Sequence, residues 1–301
     1  LIDWALLHLF SLYIIIIFYI MELINKIKIP KTPKKINILL TGGGGVGGSY
    51  GLGILRFIKS LEEKKIVEVV SISGASVGSI LGCYYLDNKL DDFEKLMTNS
   101  VKYFKKHKNN NNLKNIIFND LKNINIKNIN KKLFVSYQSV KSGKKTISIF
   151  KDNNHLNEIV YTSCFIPYFF EDKPFNNNNG DCGWPHLFIE NYNNNYNSLY
   201  ISLECKQYFG SRTITSLKSQ INKGLFDAYL FFKHNKCKNM CYISSWTSKD
   251  FLIYRLKELL MTVVVLFVYF YEVCLKHITP GCLNTFIKYI YLDCIYLAAF
   301  S

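Results

Sequence analysis

The sequence predicts an α/β fold built on a mainly parallel sheet, and three observations carry that expectation. A short apolar run from Ile36 to Thr41, and a second run rich in β-branched residues from Ile66 to Ser73, read as buried strands. Each is followed by a glycine-bearing turn. After each turn comes a segment with apolar residues at helical spacing, Tyr50 to Lys64 in the first case and Ser79 to Leu86 in the second. This strand, helix, strand, helix order makes the strands parallel, because a crossover helix carries the chain back before the next strand begins.

Later elements extend the pattern. Asp91 to Lys106 is expected to be helical, with acidic residues in the first turn and Lys in the last, as the helix dipole favours. Lys132 to Val140 and Lys145 to Phe150 read as a hairpin around Ser142-Gly143, and Ser198 to Cys205 as a further core strand. Between His107 and Asn130 the chain is mostly Asn and Lys, with more Asn clusters at Asn176 to Asn179 and Asn191 to Asn197. These are expected to be loops without a core of their own.

Residues 1–20 are long and apolar enough to cross a bilayer, with Asp3 as their only formal charge. They read as a transmembrane segment or, if translation starts at Met21, as read-through; no basic leader or cleavage site marks a removable signal. The lysines that follow (Lys26, Lys28, Lys31, Lys34 and Lys35) would place the main domain on the cytoplasmic side. Leu256 to Leu275 and the tail after Pro280 are apolar again, consistent with a buried, interfacial or membrane-inserting helix. The expected organisation is a membrane or read-through segment at 1–20, a basic linker at 21–35, a globular domain at 36–250, and apolar C-terminal helices at 251–301.

At 49% hydrophobic content, the 301 residues are too apolar for a disordered chain. A net charge of +15 draws anions to the surface, whether nucleic acid, lipid headgroups or counterions, and charge alone does not choose among them. The nine cysteines form no framework of the secreted type, which points to a reducing compartment. His234, Cys237 and Cys241 lack a fourth ligand at a metal-binding spacing, so no metal is expected.

Two motifs carry chemistry. Gly42 to Gly48 lies between a strand and a helix and satisfies a dinucleotide-binding fingerprint in two frames. A phosphate loop of the Gly-Lys-Ser/Thr type is excluded, and the acid that a dinucleotide's ribose needs is missing, since the second strand ends Ser71-Ile72-Ser73-Gly74. In its place stands Gly74-Ala75-Ser76-Val77-Gly78, a G-x-S-x-G sequence at a strand-to-helix junction. Such a turn is either a packing device or a nucleophile elbow, in which Gly74 and Gly78 let the backbone bend and present Ser76. The glycine run favours the elbow, because acyl transfer needs backbone N–H groups aimed at a developing oxyanion and Gly43, Gly44, Gly45 and Gly48 would supply them. Asp181, His186 and His234 are the available bases, and the residues alone leave open which one serves.

Together, Gly43 to Gly48 with Gly53-Ile54-Leu55, the Gly74 to Gly78 turn, and Ser163 to Phe170 leading to Asp181-Cys182-Gly183 resemble the patatin-like phospholipases. The resemblance covers about Ile36 to His186. It implies a three-layer α/β/α sandwich and lipid acyl hydrolysis by a two-residue dyad, with Ser76 as nucleophile and Asp181 as base. It implies no cofactor, a phospholipid or other acyl-ester substrate and no nucleic acid, while the basic surface and apolar ends fit docking on an anionic membrane surface as partner. Two positions depart from the family pattern. Gly47 stands where the family usually has Arg or Lys, and Cys182 where it normally has glycine, so a degenerate lipid-binding member on the same fold is the alternative.

Overall fold

The computed structural model describes residues 34–107, 113–169, 171, 173–188, 196–204, 217–235 and 237–275. The expected span at 1–20, nearly all of the linker at 21–35, most of the third Asn cluster and the tail after Pro280 lie outside these residues. The described strands are β1 (Lys34–Leu40), β2 (Val67–Ala75), β3 (Leu133–Ser139), β4 (Gly143–Ile147), β5 (Asn179–Gly180), β6 (Asn197–Ile201) and β7 (Met240–Tyr242). They form one sheet in the order β4-β3-β2-β1-β6-β7, with β5 on β3. The central four strands are parallel and the outer pairings antiparallel. The hairpin around Ser142-Gly143 is present as β3 and β4, with Gly143 in the left-handed region at φ 72°.

Alternation along β1 shows why the sheet needs helices on both faces. Ile36, Ile38 and Leu40 enter the large core, whereas Leu39 enters a second cluster with Leu187, Phe188, Ile243 and Tyr254. The first face is covered by α1 (Gly44–Glu63), α2 (Val77–Leu86), α3 (Leu90–His107), α6 (Asn153–Ser163) and α7 (Leu217–His234). Tyr254 of α8 (Ser248–Phe270) packs on the other. This is the three-layer α/β/α arrangement.

The structure differs from the sequence expectation at several elements. Helix α1 starts at Gly44, six residues before Tyr50, and so absorbs most of the glycine run. Glycine is a poor helix former, but here it lets backbones touch: a Cβ on Gly53 would lie 2.0 Å from the Ile221 carbonyl oxygen of α7, and one on Gly224 would lie 2.0 Å from that of Tyr50. The Asn/Lys tract holds α4 (Leu113–Asn119), a 3₁₀ turn (Asp120–Asn123) and α5 (Ile126–Ile129). Among its apolar residues, Phe118, Leu121, Ile124 and Ile129 are buried in the core and Ile116, Ile117 and Ile126 pack against it partly buried, which overrides the polar composition. The cluster at Asn176 to Asn179 is a tight turn leading into β5, made by Asn177 and Asn178 at φ 51° and 59°, a conformation Asn tolerates. Helices α6 and α7 and strand β7 were not foreseen.

Gly47 is also explained by packing. A Cβ there would stand 2.3 Å from the Leu203 carbonyl oxygen, so the family's usual cation has no room in this chain. Gly47→Arg, which restores the family pattern, should therefore destabilise the protein by about 1–3 kcal/mol through overpacking and lower the melting temperature by roughly 3–10 °C. Thermal melts followed by circular dichroism check this, and an unchanged or raised midpoint would show that the Leu203 backbone yields.

Candidate active site

Strand β3 brings the two halves of the site together. Its first half pairs with β2, ending with Ala75 opposite Ser136. Its second half pairs with β5, with Gly180 opposite Gln138. Because β4 pairs with Val135 to Ser139 on one side, β5 lies on the other, the side that β2 vacates where it ends. Ser76 follows β2 directly and Asp181 follows β5 directly, so the ladder sets the two side chains at one spot. The Ser76 side chain lies near enough to the Asp181 carboxyl to favour its ionised form.

Ser76 caps the N-terminus of α2 with φ 53° and ψ −131°, a conformation that costs a non-glycine residue about 1–3 kcal/mol. The strain falls on the serine itself. Gly74 and Gly78 serve a different need from the one the sequence suggested, since neither has a positive φ. A Cβ on Gly74 would lie 2.5 Å from the Gly78 carbonyl oxygen, and one on Gly78 2.6 Å from that of Leu40. They give the elbow room to fold against itself and against β1.

Asp181 is buried, and loss of solvent pushes its carboxyl up to about 6. The Ser76 side chain and the backbone N–H groups of Gly183 and Cys182 favour the carboxylate and oppose the shift, without reversing it. The Gly183 N–H lies 2.7 Å from Oδ1. Cys182 does not disturb this turn, because the left-handed position is Gly183, at φ 68°. The Asp181 N–H donates to the Phe165 carbonyl at 2.9 Å, and buried Cys182 directs its Sγ at the Trp184 carbonyl, 3.2 Å away.

The glycine loop adjoins both residues. The Gly42 N–H donates to the Gly183 carbonyl at 2.7 Å, and a Cβ on Gly42 would lie 3.1 Å from Ser76 Cβ. The helical ladder of α1 opens with the Gly47 N–H donating to the Gly43 carbonyl at 3.0 Å. The amides of Gly43, Gly44 and Gly45 precede it and have no acceptor within the helix. Gly48 differs from them: it lies a full turn inside α1, where its amide belongs to the ladder, and a Cβ there would meet Val77 Cγ2 at 2.7 Å. Its place is to let α1 pack beside the Ser76 elbow.

His186 and His234 are not among the groups that act on Asp181. The groups that act on Asp181 are Ser76, Gly183 and Cys182. The His186 N–H donates to Ser136 Oγ at 3.0 Å and its ring lies edge-on to Phe188, while His234 ends α7. Cys241 Sγ accepts from Trp246 Nε1 at 3.1 Å, and among the described residues no group of three His, Cys, Asp or Glu side chains is placed to hold a metal ion. Sequence reasoning missed a set of buried serines around the elbow. Ser163 Oγ accepts the Ser76 N–H at 2.9 Å and donates to the Ser136 carbonyl at 2.6 Å, and Ser79 Oγ donates to the Ser76 carbonyl at 2.6 Å. Ser163 stood within a segment of family resemblance, but nothing in its neighbours disclosed a role.

No curated protein matches the chain. The family profile of patatin-like phospholipases matches residues 39–190, half of the chain and the stretch that holds the glycine loop, the Ser76 elbow and Asp181. With its sheet flanked by helices and these segments gathered at one end of the strands, the chain belongs to the patatin-like phospholipase family, whose members are lipid acyl hydrolases.

Proposed function

We propose that the protein hydrolyses acyl esters of phospholipids through a Ser76–Asp181 dyad. The observation that carries this reading is that the strand ladder places Ser76 beside the buried Asp181 carboxyl, whose proton affinity is raised toward neutrality. Asp181 takes the Ser76 proton as Oγ attacks the ester carbonyl carbon. The amides of Gly43, Gly44 and Gly45 and the positive end of α2 stabilise the oxyanion. Asp181 then protonates the departing alcohol, leaving an acyl-serine. Water, deprotonated by Asp181, attacks that ester and releases the fatty acid and the free serine.

Fatty-acid release from phosphatidylcholine vesicles and hydrolysis of p-nitrophenyl butyrate test the dyad. Ser76→Ala should abolish both activities, and Asp181→Asn should reduce them about 10²–10⁴-fold. Because the base works deprotonated, kcat/KM for the neutral ester should rise with pH through a midpoint near 6 and level off above it. Loss of activity in His186→Ala or His234→Ala, with Asp181→Asn active, would replace the dyad by a histidine mechanism.

An anionic membrane surface is the proposed partner. Helix α8 presents Leu252, Leu256, Leu259, Leu260, Val263 and Phe267 outward at helical spacing, each 53–62% exposed. Lys249 and Arg255 are exposed toward its N-terminal end. A solvent-facing apolar stripe of this length with basic residues beside it suits a helix lying in a lipid interface. No described helix is long and apolar enough to cross a membrane. The same helix holds the loop after Asp181: Tyr254 Oη donates to the Pro185 carbonyl, which also accepts from Lys144 Nζ at 2.8 Å, and Lys144 pairs with Glu258. Docking along α8 would thus set the dyad beside the lipid. Leu256→Glu with Leu260→Glu should lower co-sedimentation with phosphatidylserine-containing vesicles by about 10-fold or more at an unchanged melting temperature. Unchanged co-sedimentation would remove α8 from the interface.

A further inference from the structure

We infer that Ser163 is a positioning residue that holds the backbone of the nucleophile in its reactive conformation; the inference rests on the proposed role of Ser76. The strained φ of 53° at Ser76 persists only if neighbouring groups hold it. Both peptide groups that flank the Ser76 Cα are held by hydroxyls. On the C-terminal side, the Ser76 carbonyl accepts from the Ser79 N–H at 2.9 Å and from Ser79 Oγ at 2.6 Å, contacts within the first turn of α2. On the N-terminal side, the contact comes from far along the chain: Ser163, the last residue of α6, has no exposed surface and accepts the Ser76 N–H at 2.9 Å.

The direction of that hydrogen bond is determined. A hydroxyl has one proton, and Ser163 spends it on the Ser136 carbonyl of β3 at 2.6 Å, which leaves its lone pairs for the Ser76 amide. Ser163 therefore ties the elbow to the strand that also aligns Asp181. Two consequences follow for the chemistry. The Ser76 amide is already used, so it is not a donor to the oxyanion. With both flanking peptide groups pinned, rotation about the Ser76 Cα–Cβ bond is what remains to the hydroxyl. Without the Ser163 hydroxyl, the buried Ser76 N–H loses its acceptor, the strained φ relaxes, and Oγ swings away from the carboxylate. A displacement of about 1 Å at a reacting atom is enough to slow a reaction about 100-fold.

The test compares wild type with Ser163→Ala, Ser163→Thr and Ser163→Cys in two measurements. The first is fluorophosphonate labelling, read separately as rate and as final stoichiometry. Ser163→Ala and Ser163→Cys should label about 10–100-fold more slowly but reach full stoichiometry, and Ser163→Thr, which keeps the hydroxyl, should recover most of the rate. The second is hydrogen–deuterium exchange of peptides covering Ser76, where the alanine variant should exchange at least 10-fold faster than wild type while β1 and β3 peptides stay protected. Labelling of the alanine variant at the wild-type rate, or of a smaller fraction at that rate, would make Ser163 a purely structural residue and overturn the inference. So would unchanged exchange at Ser76. If wild type itself is not labelled, the hydrolase reading fails, and the exchange measurement alone decides whether Ser163 holds the elbow.

Discussion

Everything at the site depends on how β3 divides its hydrogen-bonding edge between two partners. The edge that pairs with β2 as far as Ser136 is taken over by β5 at Gln138, so two segments about a hundred residues apart end at the same place. Main-chain pairing aligns Ser76 with Asp181 before any side-chain contact contributes. A backbone ladder is a rigid reference, and residues placed directly beyond its last rungs inherit its precision. Parallel sheets gather ligand-facing loops at the carboxyl ends of their strands, and here the antiparallel β5 adds the base to that edge.

The site costs stability in two ways, and the surrounding packing offsets both. Ser76 adopts a backbone conformation that serine disfavours, and Asp181 sits where its charge is poorly solvated. Hydroxyls of Ser163 and Ser79 hold the first; amides of Cys182 and Gly183 and the Ser76 hydroxyl partly satisfy the second. On the proposed reading, the arrangement explains how a two-residue dyad can suffice. Burial gives the carboxyl the proton affinity that a histidine would otherwise supply, and the clamped elbow leaves the nucleophile few alternatives to facing it.

Much of this was legible in the sequence where local chemistry dictates local structure. Strands β1 and β2 showed in their β-branched and apolar runs, and the elbow in its two glycines. Asp181 could be seen as a candidate, but choosing it over His186 and His234 required the family resemblance, because the β5 pairing that delivers it joins only two residues to β3. The start of α1 was hidden because glycine reads as a loop, and only the approach of Leu203 and α7 explains a glycine-rich helix. The short helices after His107 were obscured by Asn and Lys, although Phe118, Leu121, Ile124 and Ile129 are buried in the core. Ser163 was invisible as a functional residue: a serine at a helix end has no signature, and its role exists only through contacts with residues 27 and 87 positions away.

The central claim is that one hydroxyl, Ser76, is activated by Asp181. The most direct measurement is peptide mapping by mass spectrometry of the adduct left by a fluorophosphonate on the full chain. The account predicts a single adduct on the peptide containing Ser76, formed in wild type and absent at equal exposure in Asp181→Asn. An adduct on another serine, or equal modification of Ser76 with and without the Asp181 carboxylate, would contradict it.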